Sequence, residues 1–129
     1  MRRSNTVTEK AVNAILKKWR PLLGIDGRWD INVHIYRGGE TWPHEGAAAA
    51  VRSMPGYFQA SLHLDAKACE EDGDTLEHIV LHELVHIVLW PLSIMARNGL
   101  GENHEESFRD TNEAATEQLT RALLRKRTQ

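Results

Sequence analysis

The run Thr75-Leu76-Glu77-His78-Ile79-Val80-Leu81-His82-Glu83-Leu84-Val85-His86-Ile87-Val88-Leu89-Trp90 constrains this chain more than any other segment. It contains neither Gly nor Pro and is apolar almost throughout, which predicts a buried helix. Yet His82, Glu83 and His86 sit in its middle. Stripping two imidazoles and a carboxylate of water is costly unless a partner meets them. Residues four apart lie one turn above each other on a single helix face. The HExxH spacing therefore lets His82 and His86 grip one zinc ion, with Glu83 beside it as general base toward a metal-activated water. HExxH also occurs by chance in unrelated proteins, and the apolar setting is what gives it weight here.

At 129 residues the chain has length for about one domain, here residues 1–129, with a single core. Apolar content of 41% and charged content of 26% are those of an ordinary globular protein. A formal net charge of −2 argues against a dedicated nucleic-acid binder. The single cysteine, Cys69, cannot form an internal disulfide and reads as an inert thiol. Met1 to Thr6 lacks the apolar segment of a signal peptide, and the apolar stretch from Ile79 to Leu89 is too short to span a bilayer. A cytoplasmic protein is expected, with no membrane partner.

Around the central run, a first helix is expected from Thr6, with Thr6 as N-cap, Glu9 completing a capping box, and Pro21 as its end. Its apolar residues are Val7, Ala11, Ala14, Ile15 and Trp19. Ile31, Val33 and Ile35 alternate with polar residues in a strand from Trp29 to Tyr36, closed by Gly38-Gly39. Residues 40–46 read as a loop, Ala47 to Arg52 as a second strand, and Met54-Pro55-Gly56 as a turn. From Tyr57 to Asp65 the chain alternates again, with Phe58, Ala60, Leu62 and Leu64 on one face. An acidic linker from Glu70 to Asp74 leads to the motif helix, capped by Asp74 or Thr75 and stopped by Pro91. A last helix runs from about Glu105 to Leu124, and its basic end complements the helix dipole.

A catalytic zinc site commonly has three protein ligands. Leu89 and Leu92 stand where HExxHxxGxxH needs Gly and His, so the metzincin pattern is absent. The candidates downstream are Glu102, His104, Glu105, Glu106, Asp110, Glu113 and Glu117. Glu113 is favoured, because Glu113 and Glu117 lie one turn apart beside an expected apolar stripe of Phe108, Ala115, Leu119 and Ala122. One carboxylate can bind metal while the other accepts a hydrogen bond from a ligand imidazole and fixes its tautomer. His78, one turn before His82, reads as a packed or outer neighbour. His34, His44 and His63 read as strand or loop residues, and the four tryptophans as core and rim.

His82-Glu83-Leu84-Val85-His86 followed by Asn112-Glu113-Ala114-Ala115-Thr116-Glu117 resembles the thermolysin-like gluzincins, whose third ligand is a glutamate in an Asn-Glu-Ala-x-Ser-Asp setting. The short chain most resembles the single-domain minigluzincins. That resemblance implies a zincin-like α+β fold: a small, twisted, mostly antiparallel sheet, an N-terminal helix, a buried active-site helix and a C-terminal glutamate helix. It also implies His82, His86 and Glu113 as zinc ligands, Glu83 as general base, and Glu117 as the partner of a ligand histidine. The gap from His86 to Glu113 is longer than in thermolysin, and Glu117 replaces an aspartate.

The expected activity is peptide hydrolysis. The peptide or protein substrate would lie along Tyr57 to Asp65 as a sheet edge, and His104 or Tyr57 would stabilise the oxyanion. Two alternatives remain open. One is a nucleic-acid-associated metalloprotein resembling SprT-like proteases, with His104 as third ligand. The other is a latent or non-catalytic zinc-binding protein.

Overall fold

The computed structural model describes residues 6–38, 42–44, 46–54 and 57–128. The chain is α+β, with helices packed on a three-stranded sheet. In order it forms α1 (Glu9–Leu23), β1 (Asp30–Tyr36), β2 (Ala49–Met54), β3 (Gln59–Asp65), a short α2 (Ala66–Glu71), α3 (Leu76–Leu100), a 3-10 turn (Glu102–His104) and α4 (Glu105–Thr128). The expected closure at Gly39, the loop at 40–41 and 45, and the turn at 55–56 lie outside the described residues.

The sheet order is β1-β3-β2. β1 runs parallel to β3, with Val33 opposite Leu62, and β2 runs antiparallel to it, with Val51 opposite Leu62. The sheet is therefore mixed, not mostly antiparallel. It also corrects the expected position of 57–65: β3 is the central strand, its backbone paired on both sides, and it has no free edge for a peptide. Alternation along a strand reports which face is buried and carries no information about which strand lies next to it. Among the described residues, the unpaired sheet edge beside the helices is that of β2. Its Ala49 and Ala50, from a run of good helix formers, are held extended by pairing with Leu64 and His63. Tyr57 and Phe58 precede β3 in a turn, where Phe58 takes a left-handed φ of 51°.

Ala60, Leu62 and Leu64 of β3 form the floor of the core, and Val12, Leu16 and Trp19 of α1 join them with Val80, Leu81, Leu84 and Ile87 of α3. Thr8, not Thr6, caps α1, and its side chain accepts from the Ala11 amide at 3.0 Å. Pro21 lies inside that helix, which ends at Gly24, where φ is +74°. Glu77 in the first turn of α3 accepts from Trp19 Nε1 at 2.8 Å and from Lys18 Nζ at 2.6 Å, tying α1 to α3. Thr75 caps α3 through the amide of His78.

α3 does not stop at Pro91 but continues to Leu100. Proline lacks an N–H, so one rung of the ladder is lost, but the Pro91 ring lies on the exposed side of the helix. At its full length α3 is long and apolar enough to cross a membrane, by length and composition alone, which the shorter expected stretch was not. Its first half earns that apolarity as a core helix, packed against α1, β2 and α4.

α4 turns a different face inward from the one expected. Ala115, Leu119 and Ala122 are exposed, whereas Thr116 and Thr120 are fully buried. Their hydroxyls donate to the carbonyls one turn earlier, Thr116 to Asn112 at 2.7 Å and Thr120 to Thr116 at 2.8 Å. With that polarity satisfied within the helix, the side chains pack as β-branched groups.

Candidate metal centre

The core helix α3 and the threonine face of α4 cross so that His82, His86 and Glu113 converge. Glu113 Oε2 lies 3.1 Å from His82 Nε2, and Oε1 lies 2.9 Å from His86 Nε2. The two imidazoles stand edge to face, with centroids 5.0 Å apart. One ligand atom from each of the three residues lies within 4.8 Å of the others, the spacing a metal ion needs. The donor set, two imidazole nitrogens and a carboxylate, suits zinc.

The opposite side of each ring is held by α4. His82 Nδ1 donates to Glu117 Oε1 at 2.9 Å. His86 Nδ1 faces the Thr116 hydroxyl at 3.5 Å, and since that hydroxyl already donates to Asn112, it offers His86 an acceptor. Both histidines are thereby aimed with Nε2 toward Glu113. Thr116 escaped the sequence reading because a threonine in a helix carries no ligand signature; its place three residues after Glu113, on the same face, is the one signal that could have found it.

Electrostatics follow from this packing. Burial works against a charged His82, but hydrogen bonds with Glu113 and Glu117 outweigh it and hold the imidazolium up to about 9. The hydrogen bonds from His82 and His86 hold Glu113 well below the usual carboxylate range. Burial would raise Glu117, yet Arg121, His78 and His82 bring it down to about 2. Glu83 is only 8% exposed, and burial pushes its carboxyl up, partly offset by His86 and His82. Among the carboxylates at the site, Glu83 is thus the one shifted toward a stronger base.

Glu83, His86 and Glu113 open onto a cleft of about 590 Å³ whose other wall is His44, Ala47 and the β2 residues Ala49, Ala50 and Val51. Trp90, Ser93, Arg109 and Asn112 line it as well, and they continue into a smaller recess of about 180 Å³ between α3 and α4, bounded by Ile94 and Phe108. His44 Nε2 and Trp90 Nε1 are buried with no hydrogen-bond partner among the described residues. His44 lies in a loop, as expected, and its ring reaches the cleft wall, a placement for which the sequence carries no motif.

Of the other sequence candidates, Tyr57 is 77% exposed and does not line the cleft. His104 is exposed in the 3-10 turn, outside the convergent group. Glu105 pairs with Arg97 at 2.6 Å. His34 and His63 sit opposite each other on β1 and β3, where His63 Nδ1 meets the Tyr36 hydroxyl at 3.0 Å. Cys69 is buried, its thiol pushed up to about 12 by burial and by nearby carboxylates, beginning with Asp65. In comparisons with known proteins no family model, no curated protein and no solved structure matches the chain, so the reading of this centre rests on its own residues.

Proposed function

We propose that the protein is a zinc-dependent peptidase of the gluzincin type, with His82, His86 and Glu113 as ligands and Glu83 as general base. The observation that carries this reading is the convergence of both Nε2 atoms on the Glu113 carboxylate, next to a buried glutamate and on an open cleft. When bound, zinc supplies Lewis acidity, polarising a peptide carbonyl and making a water acidic near neutral pH. Glu83 would take a proton from the water as the water oxygen bonds the scissile carbonyl carbon. It would pass that proton to the amine nitrogen as the C–N bond breaks, a role its burial favours.

An extended peptide fits the free edge of β2, which borders the cleft and offers backbone groups for pairing. His44, Trp90 and Arg109 bring N–H donors to the cleft wall, where one aimed at the oxyanion contributes about 3 kcal/mol. The recess between Ile94 and Phe108 receives a neighbouring apolar side chain.

The test is cleavage of a diverse peptide library by zinc-loaded protein, read by mass spectrometry, with Glu83→Gln alongside. Cuts present in the wild type and missing in Glu83→Gln are expected. Cuts that persist in that variant would sink the assignment of the base, and a wild type that cuts nothing would sink the peptidase reading.

A further inference from the structure

Behind the ligands lies a second cluster. Asp74, His78 and Glu117 offer ligand atoms within 4.8 Å of one another, a spacing that a second metal ion could use. Its internal geometry argues for a different role. His78 directs Nε2 at Glu117, 3.0 Å from each oxygen, while Asp74 Oδ1 stands 3.6 Å from the other ring nitrogen, Nδ1. One imidazole cannot present both nitrogens to a single ion, and here the ring's hydrogen bond goes to Glu117 while Asp74 stands farther off the other nitrogen. Arg121 Nε already donates to Glu117 Oε2 at 2.8 Å, so that oxygen already has a cationic partner. Glu117 therefore accepts from three N–H groups, those of His78, His82 and Arg121.

A carboxylate on a helix surface is ordinarily free to change rotamer. Glu117 is held from α3 by His78, one turn before His82, and from its own helix by Arg121, one turn later. Held there, its Oε1 takes the Nδ1–H of His82 and so turns Nε2 toward Glu113, the side on which a metal would be held. We infer that His78 is a positioning residue for the metal centre. Hydrogen-bonded to Glu117, it holds that carboxylate in place and so presets His82 for metal binding without touching the metal. The inference rests on the metal-site reading above, and it extends the motif upstream by one turn, to a histidine that binds through a carboxylate.

The experiment is zinc titration against a chromophoric chelator, with stoichiometry by elemental analysis and the visible spectrum of the cobalt-loaded protein as a second readout. Wild type is expected to hold one zinc. His78→Leu removes the donor and is expected to weaken zinc about 10- to 100-fold and to perturb the cobalt bands. His78→Gln, which can return an N–H to Glu117, is expected to recover most of the loss. Should His78→Leu fail to fold, His78→Phe keeps the ring's bulk without an N–H, and zinc binding there as tight as wild type overturns the inference.

His78→Leu binding zinc as tightly as wild type, with an unchanged cobalt spectrum, overturns the inference and leaves the metal site standing. A second zinc in wild type that Asp74→Asn removes also overturns it, in favour of a second metal site. A wild type that takes up no zinc defeats the metal-site reading itself, a result distinct from either.

Discussion

Glu113 Oε1 lies 2.9 Å from His86 Nε2, and its other oxygen faces His82, so a single carboxylate on α4 spans both imidazoles of α3. Glu113→Ala is accordingly expected to weaken zinc by more than the roughly 100-fold that loss of an outer partner costs. His104→Ala, on an exposed turn, is expected to leave zinc affinity unchanged. Competition titration of the two variants decides the third ligand, and strong weakening in His104→Ala would remove Glu113 from that role.

Zinc binding should also depend steeply on pH. In the metal-free protein His82 stays protonated up to about 9, and a ligand imidazole must be neutral. Below that value each zinc bound displaces a proton from His82, so apparent affinity should rise as pH rises, by about tenfold per unit for one proton. Calorimetry in buffers of different ionisation enthalpy at pH 7 should show about one proton released. Affinity that is flat between pH 6.5 and 8.5 would contradict the hydrogen-bonded geometry of His82.

The proposed ligands come from two helices, so on that reading metal binds fully only when α3 and α4 are packed together. At a free zinc concentration 100-fold above Kd, binding should add about 2.7 kcal/mol. For a domain of this size that raises Tm by on the order of ten degrees, reversed by a chelator. Scanning fluorimetry at fixed protein and rising zinc would reveal a rise that failed to grow with concentration.

Thr116→Val keeps the shape of a fully buried side chain and deletes its hydroxyl. The change frees the Asn112 carbonyl from one bond and takes away the acceptor facing His86 Nδ1. Stability should fall by about 1 kcal/mol, while zinc affinity drops because His86 loses its orientation. Unchanged zinc affinity in a folded Thr116→Val protein would mean that His86 is oriented by packing alone.

The recess between Ile94 and Phe108 should set side-chain preference. Ile94→Trp narrows it and is expected to shift library cleavage toward small residues at the position beside the cut, with zinc affinity unaltered. An unchanged cleavage profile would place that side chain elsewhere in the cleft.

The parts of the structure that were legible in the sequence are those set by spacing along one element. His82 and His86 share a face because they are four apart, and Ala60, Leu62 and Leu64 share one because they alternate. What spacing could not convey was how elements lie beside one another. The alternation of residues 57–65 gave its buried face but not its central place between β1 and β2. The face of α4 was misjudged because hydropathy favours alanine and leucine, whereas the threonines hide their hydroxyls against their own helix. Proline in the sequence reads as a helix stop, but an exposed ring such as that of Pro91 is carried through when the rest of the helix is held by its neighbours.

That proline divides α3 into two mechanical parts. His82 and His86 lie before it, embedded among α1, β2 and α4, while the stretch beyond it exposes Leu92 and Met95 and carries Ser93 and Ile94 along the recess wall. The lost rung releases the carbonyl of Ile87, just past the last histidine. The half before Pro91 is embedded on several sides, whereas the half beyond it is held to α4 chiefly by polar contacts, Ser93 with Asn112 and Arg97 with Glu105. Amide hydrogen exchange should follow that division, slow through His86 and faster from Leu92 onward. If the far half yields first, the cleft would take side chains of different girth while the convergence of His82, His86 and Glu113 stays in place.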